Sequence, residues 1–240
     1  MEFIREATEA QMVSLFLASE LRSDRWRDSL LAVLTASGVS TDLIEHPDTS
    51  SEEENRSRAA VLAAFRGYGE GRCLFEGYTA GVRWFRAVLG AADIPRLKYI
   101  RYSYWDAISG GTRRPLDAAA TIRAGTEVFG VPNDPYFDGA RFLRRGGTFP
   151  PLILVSSGAG DLFDTGVSAG GGARRSLDEE VPSGGGARDS PETREPPGAD
   201  YDLVILEGNV RATVYAFVEA DSPGPVEALV GFHGAFRMWV

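Results

Sequence analysis

The sequence is poor in the residues that build metal centres and covalent staples. Its 240 residues include one cysteine, Cys73, and two histidines, His46 and His233. A single thiol excludes an internal disulfide and a cysteine-based zinc cluster. The histidines lie far apart with no partner at metal-ligand spacing, which gives each a surface or capping role. Lysine is nearly absent: of 25 basic residues only Lys98 is not arginine. Arginine suits bidentate contacts to carboxylate or phosphate, although a biased genome composition accounts for the same preference. Long apolar runs are missing, since nowhere do about 18 uncharged apolar residues follow one another. The opening MEFIREATEAQM puts acids where a signal peptide needs an apolar stretch. These absences lead us to expect a soluble, cytoplasmic chain with no membrane span. A serine nucleophile elbow, a Walker loop and an HExxH helix are also absent.

What is present is ordinary for a globular protein, with 43% hydrophobic and 25% charged residues. A formal net charge of −9 disfavours nonspecific binding to DNA or anionic membrane. The length allows one large domain or a core with an added subdomain.

Residues 1–66 read as helical. Met12, Leu15, Phe16 and Leu21 fall near one face, and Trp26, Leu30 and Leu34 recur at four-residue spacing. Ser23 or Asp24 is the expected cap of the second helix and Gly38 its end. Ser51 and Glu54 have capping-box spacing at the start of a third helix, and Gly67, Gly69 and Gly71 read as a flexible turn. From Val82 the pattern changes to a strand, a turn and a short extended or helical piece. PLDAAATIRAG reads as a helix closed by Gly125, and FPPLILVSS as a strand. Between Thr165 and Gly198, glycine, proline, serine and charge dominate, so this stretch is expected to be a disordered insertion. The apolar runs on either side of it read as two arms of one hairpin, and Val226–Phe232 as a last strand. The expected organisation is a helical region over 1–81 and an α+β domain over 82–240, interrupted at 165–198.

YDLVILEGNVRATVYAF carries the most chemistry. Leu203–Leu206 read as a strand, Gly208 as the turn, and Val210, Val214 and Phe217 recur at helical spacing. A strand, glycine turn and helix present free first-turn N–H groups to an anion, and an arginine nearby completes such a site. Arg211 stands where that is possible, and equally where it can pair with Glu207 or a surface acid. RYSYWDAISGGTRR gathers Arg101, Tyr102, Tyr104, Trp105, Arg113 and Arg114, as an aromatic and arginine platform for a base or peptide or, for the aromatics, as core.

The order of these elements from Trp84 to Val240 resembles the N-terminal domain of the ParB and sulfiredoxin-like superfamily. There, an arginine and proline precede a helix ending in glycine, a strand follows, and a Gly-x-x-Arg turn opens the next helix. The resemblance implies a small α+β domain with a mixed sheet whose turn binds nucleotide phosphates. CTP or ATP with Mg²⁺ is the implied ligand, and weak hydrolysis or phosphoryl transfer the implied chemistry. Carried over by position, Gly208, Asn209 and Arg211 match the turn, and Arg113 or Arg114, before Pro115, matches the upstream arginine. Glu207 is the adjacent carboxylate available for catalysis. Asn209 stands where sulfiredoxins carry their nucleophilic cysteine, and Asn209 and Val210 replace the Glu-Arg of ParB proteins, so cysteine chemistry and one phosphate-binding cation are absent. No helix-turn-helix follows, which argues against ParB-type DNA clamping. The alternative is a non-catalytic module in which the turn is structural and the helical region and insertion contact a protein partner.

Overall fold

Short apolar runs without polar alternation build the centre of the molecule. The structure, a computed structural model, describes residues 1–158, 202–218 and 225–239. The expected insertion over 165–198 lies outside them. The chain has an α+β fold with N-terminal helices and a six-stranded mixed sheet. The strands are β1 (Glu2–Ala7), β2 (Arg83–Leu89), β3 (Leu97–Tyr99), β4 (Leu152–Ser156), β5 (Leu203–Glu207) and β6 (Val226–Phe232), in the order β1-β2-β6-β4-β5-β3. The inner strands β6, β4 and β5 are buried at nearly every position, which is why they read as continuous hydrophobic runs. β4 and β5 pair antiparallel side by side, as expected for two hairpin arms. β4 runs parallel to β6, and β3 parallel to β5.

Side chains alternate between the two faces of the sheet, and each face carries its own hydrophobic core. On one, Ile153, Val155, Val204, Leu206 and Leu229 meet Met12, Phe16 and Leu17 of α1 (Glu9–Leu21). Leu30 and Leu34 of α2 (Arg27–Ser37) join them, with Ile44 of α3 (Asp42–Glu45) and Val61 and Leu62 of α4 (Glu52–Arg66). On the other face, Leu152, Leu154, Leu203, Ile205 and Val230 pack under α5 (Ser103–Ile108) and α6 (Pro115–Arg123). Helices α7 (Asp134–Arg144) and α8 (Asn209–Val218) complete that layer. Residues on both sides of the expected boundary at 81/82 therefore share one hydrophobic cluster. The N-terminal helices are one layer of a helix–sheet–helix sandwich.

Local signals set most helix ends. Thr8 and Gln11 form a reciprocal capping box at the start of α1. Ser51 Oγ accepts from the Glu54 amide at the start of α4, and Gly38 ends α2 in the left-handed region. Two expectations fail. The stretch read as helical from residue 1 opens with strand β1, because pairing with β2 along Glu2–Ala7 overrides its weak local pattern. Neither Ser23 nor Asp24 caps α2. Trp26 holds that position without a side-chain bond, and the Ser23 carbonyl closes the turn by accepting from the Trp26 and Arg27 amides. Helix α7 was not anticipated at all, although buried Tyr136 and Ala140 and partly buried Phe137 and Leu143 recur at helical spacing against the core.

Candidate functional site

The parallel strands β3 and β5 end at the same edge of the sheet, where antiparallel β4 begins. The loops at this edge, the carboxyl end of α1 and the α1–α2 connection enclose a cavity of about 1110 Å³. Clefts outside strand carboxyl ends are where sheets flanked by helices place their ligands. Gly208 makes the corner from β5 into α8. Its φ is +97°, and a Cβ there would lie 2.7 Å from Leu152 Cδ2 and 3.1 Å from Arg211 Nη2. Both the backbone and the space therefore require glycine. Gly208, Asn209, Val210 and Arg211 all line the cavity, so the amino end of α8 opens into it. Asn209 Oδ1 is buried without a hydrogen-bond partner among the described residues.

Arg211 is fully engaged by the protein itself. Nη1 donates to the carbonyls of Pro150 at 2.7 Å and Pro151 at 3.1 Å. Nη2 donates to Glu207 Oε2 at 2.6 Å and Ser19 Oγ at 3.3 Å. One side chain thus ties the β5–α8 corner to the entry of β4 and the end of α1. Of the two alternatives open in the sequence, pairing with Glu207 is the one that forms. Glu207, held by Arg211, is not a free base. A second buried pair lies nearby: Arg66 donates to Glu20 Oε1 at 2.6 Å, and the guanidinium sits 3.7 Å over the Trp26 ring. Burial pushes the Glu20 carboxyl above its ordinary 4.5, with Arg66 pulling the other way.

The exposed part of the lining is different. Arg22 and Arg101 have no hydrogen-bond or ion-pair partner among the described residues, and Arg25 donates only to Tyr102 Oη, at 3.0 Å. Five arginines and three glutamates line the cavity, an excess of positive charge in a chain whose net charge is −9. Among the described residues, no three His, Cys, Asp or Glu side chains converge to hold a metal.

The sequence-derived candidates are therefore split. Glu207, Gly208, Asn209 and Arg211 come together on the cavity, as do Arg101, Tyr102 and Trp105. Arg113 and Arg114 are not in its lining. Arg113 donates to the Trp239 carbonyl at 3.2 Å, and Arg114 is exposed at the residue before α6, where its side chain makes no capping bond. The upstream arginine of the resemblance thus points elsewhere. Trp105 is buried and stacks on Tyr99 at 4.5 Å, so it belongs to the core. Arg22, Arg25 and Trp26 were not legible as site residues because helical spacing assigned Trp26 to a core. The usable signal was LRSDRWR, three arginines and a tryptophan bridging two helices. The chain matches no family model, no curated protein and no solved structure.

Proposed function

We propose that the cavity binds a phosphate-bearing ligand, with a nucleotide such as CTP or ATP as the first candidate. The single observation that carries this reading is the trio Arg22, Arg25 and Arg101. Guanidinium groups that form no salt bridge among the described residues face the same cavity as the open amino end of α8, Arg25 feeling Glu20 only through charge attraction. Fixed positive charge beside free amides is what a phosphate group needs. The Gly208 turn supplies the amides, while Arg211 supports the turn from behind instead of meeting the ligand. The ParB-like relation belongs to this proposal and rests on the order α6, α7, β4, β5, Gly208, α8 and β6.

Binding without turnover is the form of this reading that the geometry favours. The carboxylates of Glu207 and Glu20 are each neutralised by an arginine, so neither is placed as a general base. They make no set for Mg²⁺, which on this reading arrives on the phosphates. The single exposed thiol, Cys73, suits a reducing, cytoplasmic setting.

Thermal denaturation with inorganic tripolyphosphate, CTP, ATP and GTP, each with Mg²⁺, tests the proposal. At a hundredfold excess over Kd a ligand stabilises by about 2.7 kcal/mol, which for a chain of this size raises Tm by roughly 5–10 °C. Arg101→Ala should reduce that rise. No rise with any of the four would leave the turn as architecture and shift the reading to a protein-interaction module.

A further inference from the structure

Two aromatic side chains line this cavity outside the fully buried core, Trp26 half-buried with its ring edge-on to Phe65 and Tyr102 exposed. Trp26 sits at the start of α2, with the Arg25 guanidinium 4.7 Å and the Arg66 guanidinium 3.7 Å from its ring centre. Tyr102 sits at the start of α5, 44% exposed, and the described structure holds it through Arg25 alone. Arg25 bonds its hydroxyl and lies 5.7 Å over its ring. The two rings belong to different helix layers and are bridged across the cavity by this one arginine. Trp26 precedes the part of the chain covered by the family resemblance, which begins at Trp84.

An exposed tyrosine on a single hydrogen bond has little structural purpose. Arginine has five N–H donors, and here Arg25 uses one of them on a neutral phenol. A phosphate is a stronger acceptor for that guanidinium than a phenol is, so an arriving anion draws Arg25 away from Tyr102. That movement uncovers the Tyr102 ring and the part of the Trp26 ring that Arg25 covers, while Arg66 stays over Trp26. Building on the phosphate reading above, we infer that Arg25, Trp26 and Tyr102 form a ring-selecting subsite. Arg25 exchanges the Tyr102 hydroxyl for the ligand's phosphate, and the released aromatic faces stack on a planar group attached to it. The N-terminal helices thereby set specificity, and the Gly208 corner sets anion affinity.

The test compares tripolyphosphate, which has no ring, with ATP, CTP and GTP by calorimetric titration, with tryptophan fluorescence as a second readout. The proteins are the full-length wild type, Tyr102→Phe and Tyr102→Ala. Stacking of one base contributes roughly a tenfold to hundredfold gain in affinity. At least one nucleotide should therefore bind the wild type at least tenfold more tightly than tripolyphosphate and quench tryptophan emission. Tyr102→Phe should keep that preference. Tyr102→Ala should lose most of it without weakening tripolyphosphate binding, since Arg25 is then free. Equal binding of tripolyphosphate and all three nucleotides overturns the ring subsite while leaving the phosphate reading intact. Failure of all four to bind overturns both. An Ala variant that weakens tripolyphosphate and nucleotides alike also overturns the subsite, because Tyr102 would then act through the fold.

Discussion

The buried floor and the exposed rim of the cavity use the same side chain in opposite ways. On the floor, Arg66 and Arg211 each face a glutamate at 2.6 Å, and every acceptor within reach comes from the protein. At the rim, Arg22 and Arg101 have no carboxylate partner among the described residues, and Arg25 forms no salt bridge, feeling Glu20 only through charge attraction. Buried charge must be paired to be tolerated, and the floor follows that rule. Solvated charge is free to remain unpaired, so its position is not dictated by folding. The comparison teaches that an arginine in a matching motif is a poor guide to ligand contact until its partners are counted. Arg211 is the motif arginine, and it is part of the frame.

The largest effect expected from this contrast is on stability. Arg211→Ala strands Glu207 and the carbonyls of Pro150 and Pro151, and breaking a buried pair from one side costs about 3 kcal/mol. A scanning calorimeter should show Tm lower by roughly 6–12 °C. A change within about 2 °C, on the same scale, would remove Arg211 from the frame. Gly208→Ala comes next. It adds a Cβ 2.7 Å from Leu152 at a φ of +97°, and strain of that kind costs about 1–3 kcal/mol. Urea denaturation should show the midpoint shifted down with the m-value unchanged.

A smaller, pH-dependent effect isolates Glu20. Its folded-state carboxyl titrates above the ordinary 4.5 because burial disfavours its charge. Between 4.5 and that raised value the folded chain holds more protons than the unfolded chain, so stability from this group falls as pH rises through the window. Wild type should therefore lose stability relative to Glu20→Gln on going upward through that window, and the gap should then stay constant. A gap that widens in favour of wild type with rising pH would mean that the Arg66 pair dominates over burial. The smallest stability effect belongs to the rim. Arg22→Ala and Arg101→Ala should each stay within about 0.5 kcal/mol of wild type in chemical denaturation, while lowering affinity for tripolyphosphate.

Much of the sheet was legible because its inner strands are buried on both faces and so carry uninterrupted apolar runs, as in Leu203–Leu206 and FPPLILV. Helix α4 was legible through Ser51 and its acidic first turn, and the β5–α8 corner through Gly208. Strand β1 was not, because its charged residues acquire extended structure only from β2, some 80 positions away in the chain. Nor could the partners of Arg211 be read, since Ser19 and Pro150 reach it only once both faces of the sheet are covered. The cavity residues Arg22, Arg25 and Trp26 were obscured for a related reason. A tryptophan at helical spacing looks like core, and its place at a helix break beside Tyr102 exists only in three dimensions.

The most direct measurement is a calorimetric titration of tripolyphosphate into the wild type and into the Arg22→Ala/Arg25→Ala/Arg101→Ala triple variant, at one fixed low salt concentration. Charge-assisted hydrogen bonds contribute about 1.5–3 kcal/mol each, and each 1.4 kcal/mol is a factor of ten. The account predicts measurable binding to the wild type, a loss of at least a hundredfold in the triple variant, and an unchanged Tm for that variant without ligand. Equal affinity in the two proteins, or no binding to the wild type, would contradict it.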